Sequence, residues 1–184
     1  MITLFTAIEI PELIASQLSG LQRFAESEWD PGWIPEENFH ITLAYVGPVE
    51  EPLAADIDGE LSRLKTGGFE LELKGVGAFG GKRPQVLYAA VARSRALEAL
   101  AEKHHTILRR LGVEVDRGAY TPHVSLARPR HAPLELVQSW IAANNLYDSG
   151  PFPADRAVLF SSHKMGDGRH YAPERDYPLG PILL

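Results

Sequence analysis

A repeat at a fixed offset of 83 residues constrains this chain more than any other feature of its sequence. His40-Ile41-Thr42-Leu43-Ala44 shifts onto His123-Val124-Ser125-Leu126-Ala127. The same shift carries Phe5, Ala7 and Ile8 onto Tyr88, Ala90 and Val91, and Leu13 and Ile14 onto Ala96 and Leu97. Further along, Leu53 meets Leu136, Ile57 meets Trp140, and Phe69 meets Phe152. Apolar positions pair by chance, but one register carried through five successive elements reads as a duplicated unit. Two copies are too few for a solenoid. The expectation is a single domain over residues 1–184, built from two related lobes.

Periodicity supplies the elements. Residues 2–8 and 86–92 are apolar runs of strand length. Each is followed by a helical pattern. The first has Pro11 in its opening turn; the second starts at a Ser94 cap and is closed by Gly112. Strands at 39–46 and 122–128 carry the two motifs. Residues 52–65 and 134–146 read as helices, residues 69–79 as an alternating strand with its counterpart at 153–161, and a closing strand falls near 170–178. Gly80 to Pro84 and Gly166-Asp167-Gly168 have turn chemistry. Helices alternating irregularly with hairpins predict an α+β fold: two pseudo-symmetric lobes of mostly antiparallel sheet, helices outside, around a central cleft.

Strand parity gives the motifs their chemistry. Residues two apart share a face, so His40 and Thr42 point one way while Ile41 and Leu43 point into the apolar layer. His123 and Ser125 repeat the pattern against Val124 and Leu126. Two imidazoles and two hydroxyls then meet in one cleft, which suits phosphoester hydrolysis without a metal. One imidazole takes a proton from the nucleophile and the other gives one to the departing oxygen. The hydroxyls hold the non-bridging phosphate oxygens. Either motif alone fits an ordinary strand histidine; the pair in register favours catalysis. The near-equivalence of the two halves leaves the acid and base roles open at this point.

The remaining residues narrow the class. With no cysteine there is no disulfide, thiolate metal site or thiol nucleophile. A net charge of −6 argues against coating nucleic acid, though not against gripping one end with local arginines. The amino terminus lacks a signal-peptide pattern and no segment reaches membrane-spanning length, so a cytoplasmic protein is expected. His104 and His105 sit about 100° apart on one helix, unsuited to a shared metal. His131, His163 and His170 read as loop or surface residues. No metal, no cofactor and no phosphate-cradling Gly-rich loop is expected. Phe5 reads as a core residue, and Tyr88 as core or base-stacking. Pro122 reads as fixing the entry to the second motif strand.

The segments Phe39-His40-Ile41-Thr42-Leu43-Ala44 and Thr121-Pro122-His123-Val124-Ser125-Leu126-Ala127-Arg128 resemble the two HxTx motifs of the 2H phosphoesterase superfamily. Within it the chain is most similar to the RNA 2′,3′-cyclic phosphodiesterases, also called 2′-5′ RNA ligases. The approach Trp33 to Asn38, the strand end Gly75 to Phe79 and the late strand Val158 to Ser162 extend the similarity over nearly the whole chain. Ser125 replaces the usual Thr and keeps the hydroxyl. The resemblance implies the bilobal LigT-like fold and hydrolysis of a terminal 2′,3′-cyclic phosphate to a 2′-phosphate. It also implies His40 as proton donor, His123 as proton acceptor, and reversible 2′-5′ ligation. Thr42 and Ser125 are candidate phosphate ligands. Arg128 is a third, although parity five residues from His123 points it the other way unless Pro129 ends the strand. Expected partners are RNA ends or nucleotides with a 2′,3′-cyclic phosphate, with no membrane and no obligate protein partner. The alternatives are a 2H enzyme acting on another small cyclic phosphoester and a non-catalytic module that binds RNA ends.

Overall fold

Local chemistry sets the element boundaries in the computed structural model, which describes residues 1–24, 29–166 and 168–182. In chain order they are β1 (Ile2–Glu9), α1 (Glu12–Ser19), β2 (His40–Val49), α2 (Glu51–Ser62), β3 (Phe69–Phe79) and β4 (Val86–Val91). Then come α3 (Arg95–Arg110), β5 (His123–Ala127), α4 (Leu134–Asn144), β6 (Asp148–Ala154), β7 (Arg156–Met165) and β8 (Gly168–Pro178). At the start of α3 the Leu97 amide donates to Ser94 Oγ at 3.2 Å, satisfying one of the orphan donors of a helix start. At its end Gly112 takes φ +81°, the left-handed geometry that closes a helix without a Cβ penalty.

The strands form one sheet in the order β6-β3-β4-β5-β2-β1-β7-β8, with every neighbouring pair antiparallel. Its halves, β6-β3-β4-β5 and β2-β1-β7-β8, meet through a single registered pair, Ile41 opposite Val124. Helix α3 packs on β2, α4 on β3, and α2 against α3 and β8. Ile41, Leu43, Val124 and Leu126 are each at most 1% exposed and share one core with Leu97, Leu100 and Leu108 of α3. Truncating one of them to Ala would cost about 2–5 kcal/mol, so the backs of the motif strands are fixed firmly.

The pairing itself carries the 83-residue offset. Leu4 and Phe5 lie opposite Ser161 and Phe160; Leu87 and Tyr88 lie opposite Ala78 and Gly77. The offset does not extend to the inner pairs. Ala7 is opposite Thr42, whereas Ala90 is opposite His123. At that pair the slip is two residues, and at Leu4, Phe5 and Thr6, beyond the β1 irregularity between Thr6 and Ala7, it is three. The motif side chains share a face because Ile41 lies directly opposite Val124.

The run 153–161 is not one strand, as the alternation had suggested. The chain breaks at Asp155, whose carbonyl accepts the Leu179 amide at 2.7 Å, so β6 and β7 pair at opposite ends of the sheet. Phe152 consequently lies opposite Leu71; it is a neighbour of β3, not the repeat equivalent of Phe69. The glycine turn before the last strand has Gly166 at φ +57°, while Asp167 lies outside the described residues. Among the described residues no helix is long and apolar enough to cross a membrane.

Candidate active site

Extending the Ile41–Val124 pair by one residue each way sets His40 level with Ser125, and Thr42 level with His123. All four side chains project from the face opposite the core, because Ile41 and Val124 are fully buried between them. The two imidazoles sit on a diagonal of this square, close enough for the charge on His123 to act on His40.

Both rings are held alike. His40 Nδ1 lies 2.8 Å from the Asn38 carbonyl, and His123 Nδ1 lies 2.8 Å from the Thr121 carbonyl. A carbonyl only accepts, so Nδ1 carries the proton in the neutral ring and Nε2 is left with its lone pair. Aromatic rings complete each seat. Phe5 and Tyr171 lie 4.9 and 5.3 Å from the His40 ring, and Phe79 and Tyr88 lie 4.8 and 5.5 Å from that of His123. Tyr88 is stacked on Phe79 and lies over Gly77, where an added Cβ would approach its hydroxyl to 2.6 Å. Behind the first motif strand, the Tyr120 hydroxyl donates to the Thr42 carbonyl at 2.8 Å, and His105 Nε2 reaches the Leu43 carbonyl at 3.1 Å.

Electrostatically the two histidines differ. Burial lowers His40 to about 4, and the Asn38 carbonyl bond, which favours the charged ring, does not offset it; Arg128 and His123 push the same way as burial. His123 is lowered by the same leading cause, opposed by the Thr121 carbonyl and assisted by Arg128.

A cleft of about 890 Å³ opens beside His40. Its wall takes in His40, Thr42 and Arg128; His123 and Ser125 lie outside it, on the neighbouring strand. Arg128 reaches the cleft because β5 ends at Ala127, one residue before strand parity would have turned its side chain away. The cleft's far wall is built by a segment that fills the gap where β2 and β5 diverge. Ile34 N donates to Leu126 O at 2.8 Å, Arg128 N donates to Gly32 O at 3.2 Å, and Trp33 bridges Ala127.

Several site residues escaped the sequence reading. Asn38 is 9% exposed, and its Nδ2 donates to the Arg169 carbonyl at 2.8 Å, tying the β7–β8 hairpin to the residue that holds His40. The one available signal was its position, two residues before His40 as Thr121 is before His123. Tyr171 and Arg169 enter the site from the far end of the chain, with no local signature. His131, read as a plain loop residue, lines the cleft. Phe5 is buried as expected, but in a small cluster on the cleft face with Ala7, Val158 and Phe160. His104 is a fully buried structural residue, its Nδ1 2.9 Å from Thr6 Oγ1. His163 and His170 face each other across the exposed β7–β8 hairpin. No group of three His, Asp or Glu poised to hold a metal occurs among the described residues.

The fold and paired motifs define the class of LigT-like 2H phosphoesterase structures. The chain is similar to LigT of E. coli, solved in complex with 3′-AMP, with a TM-score of 0.81 at 21% identity, covering 97% of this chain and 98% of that one. The model of the 2′-5′ RNA ligase superfamily matches residues 10–165, and the chain belongs to this family. Among its relatives, a protein of Aeropyrum pernix named RNA 2′,3′-cyclic phosphodiesterase is 37% identical over 101 residues, 54% of this chain and 57% of that protein. The chain thus spans little more than half the length of that relative. A Thermotoga maritima protein of the same name is 29% identical over 167 residues, 86% of this chain and 85% of the relative.

Proposed function

We propose that this chain hydrolyses the terminal 2′,3′-cyclic phosphate of RNA, or of a nucleotide, to a 2′-phosphate without a metal. Supporting this reading above all is the pair of imidazoles on one sheet face, each oriented through Nδ1 by the carbonyl two residues before it, with no Nε2 hydrogen bond among the described residues. In the proposed reaction His123 Nε2 removes a proton from water as the water oxygen attacks phosphorus. The bond from phosphorus to the 3′-oxygen breaks, and His40 Nε2 delivers its proton to that oxygen, leaving a 3′-hydroxyl and a 2′-phosphomonoester. Thr42 and Ser125 hydroxyls and the Arg128 guanidinium hold the non-bridging oxygens as their charge grows. Burial keeps His40 neutral in the empty cleft, so its donor role requires the negative charge of the bound phosphate to restore the proton. Ligation follows the same path with a 5′-hydroxyl in place of water: its oxygen attacks phosphorus, the bond to the 3′-oxygen breaks and a 2′-5′ phosphodiester forms, and the reverse step regenerates the cyclic end. The whole chain acts as one bilobal domain from a duplicated unit, a reading supported by the shared 83-residue offset of the β1–β7 and β4–β3 pairings.

The test is hydrolysis of nucleoside 2′,3′-cyclic phosphate in excess EDTA. The expected outcome is unchanged conversion to the 2′-phosphate with a bell-shaped pH profile. Loss of turnover in EDTA would overturn the metal-free mechanism, and binding of RNA ends without turnover would leave only a binding module.

A further inference from the structure

His40 stands between two hollows of opposite charge. On one side is a space of about 490 Å³ whose wall includes Glu9, Glu12, Glu36 and Glu37. On the other is the 890 Å³ cleft, whose wall carries Arg128, Arg130, His131 and Arg169. The one acid in that wall among the described residues, Asp30, uses Oδ1 to accept the Gly32 amide at 2.8 Å and so holds the loop together. Arg169 donates to Ser162 Oγ at 2.9 Å, and Arg130 has no side-chain hydrogen bond or ion pair among the described residues. Elsewhere Arg63, Arg156 and Arg175 each pair with a carboxylate.

This arrangement gives a polyanion a direction. A strand whose terminal phosphate rests at His40 and Arg128 meets repulsion on the glutamate side and cations on the other. Two residues of chain span at most about 7 Å, so Arg130 stands roughly one nucleotide step beyond Arg128. Arg169 lines the same cleft from the β7–β8 hairpin. We infer that Arg130 and Arg169, with His131, form a second phosphate subsite. It receives the internucleotide phosphate preceding the terminal nucleotide, so that the cleft selects single-stranded oligonucleotide ends over free mononucleotides. The inference rests on the reaction proposed above for its terminal phosphate, while the subsite can be tested without turnover.

The first experiment measures binding of a fluorescent tetranucleotide ending in a 2′-phosphate, in competition with a nucleoside 2′-phosphate, across a salt series. The tetranucleotide should bind about tenfold more tightly at low salt, as one added charge-assisted contact implies. Its plot of log K against log salt should be steeper by about 0.7, the release expected for one more neutralised phosphate on a single strand. Arg130→Ala with Arg169→Ala should remove at least fivefold of that preference, about 70% of its logarithm or more. The second experiment takes the ratio of kcat/KM for a cyclic-phosphate-terminated tetranucleotide to that for a nucleoside cyclic phosphate, which should fall in the same double variant. Equal binding of the two ligands by the unaltered protein, or a preference that survives both substitutions, overturns the subsite even if mononucleotides are hydrolysed. A binding preference that vanishes in the variant, with no hydrolysis of either substrate, leaves the subsite standing and overturns the proposed reaction.

Discussion

The two halves of the sheet carry the same motif and treat it differently. In β2-β1-β7-β8, His40 is anchored through Asn38, whose buried side chain is bonded to Arg169, and sits beside Phe5 and Tyr171 at the edge of a deep cleft. In β6-β3-β4-β5, the matching carbonyl belongs to Thr121, an exposed residue whose hydroxyl reaches only Ala119, and the ring rests against the stacked Phe79 and Tyr88. The outer strand pairings keep the offset of 83, while the inner ones slip by two or three residues. The two occurrences of the motif thus have unlike surroundings and a common face. The lesson is that the registered Ile41–Val124 pair keeps both motifs on one face whatever the slip of their neighbours, while the surroundings of the two rings differ.

The strongest way to break this comparison is to remove each imidazole in turn. His40→Ala and His123→Ala should each lower kcat by about 10³-fold or more, at the upper range for general acid–base groups. A substrate with an activated 3′-leaving group, such as a thiolate, should rescue the His40 variant and not the His123 variant. Equal rescue of both would erase the division of roles.

A second prediction concerns acid stability. His40 and His104 are both lowered by burial to about 4 from 6.5, so between these values the unfolded chain binds more protons than the folded one. Their stabilisation is fully present above pH 6.5 and is lost as pH falls towards about 4, with a ceiling of about 3 kcal/mol for each group. Hydrogen exchange at pH 5 should therefore quicken in β1 and β2 before β4 and β5. Simultaneous loosening of both halves would count against the contrast.

The smallest expected effect separates the two anchors. Asn38→Ala should lower kcat/KM about tenfold and shift the His40-dependent limb of its pH profile, since the buried side-chain bond to the Arg169 carbonyl that fixes Asn38, and with it the backbone carbonyl holding the ring, is lost. Thr121→Ala should change kcat/KM by less than about twofold, its hydroxyl being exposed. Comparable losses in the two variants, with an unmoved pH profile, would make Asn38 merely structural.

Much of this arrangement was legible in the residues. Strand parity placed His40, Thr42, His123 and Ser125 on one face, and Ser94 and Gly112 marked the ends of α3, because those properties depend on near neighbours. The parts that escaped depend on distant ones. Nothing near Arg169 or Tyr171 says that the β7–β8 hairpin folds back onto Asn38. Parity alone would turn Arg128 away; its place in the cleft depends on β5 ending at Ala127, beside the partner segment at Gly32 to Ile34. The Phe69–Phe152 match satisfied the offset and still failed, because sequence spacing does not report the chain break at Asp155.

That partner segment has a consequence for solubility. Where β2 and β5 part company after a single registered pair, the backbone of Leu126 to Arg128 would present bare amide and carbonyl groups in the middle of the sheet. Such an internal edge is a template for a stray strand from another molecule. Gly32 to Ile34 caps it from within the chain, with Trp33 lodged against Phe24 and Trp140 as the plug. Damage to this plug would first appear as aggregation, before any loss of chemistry in the molecules that remain dispersed.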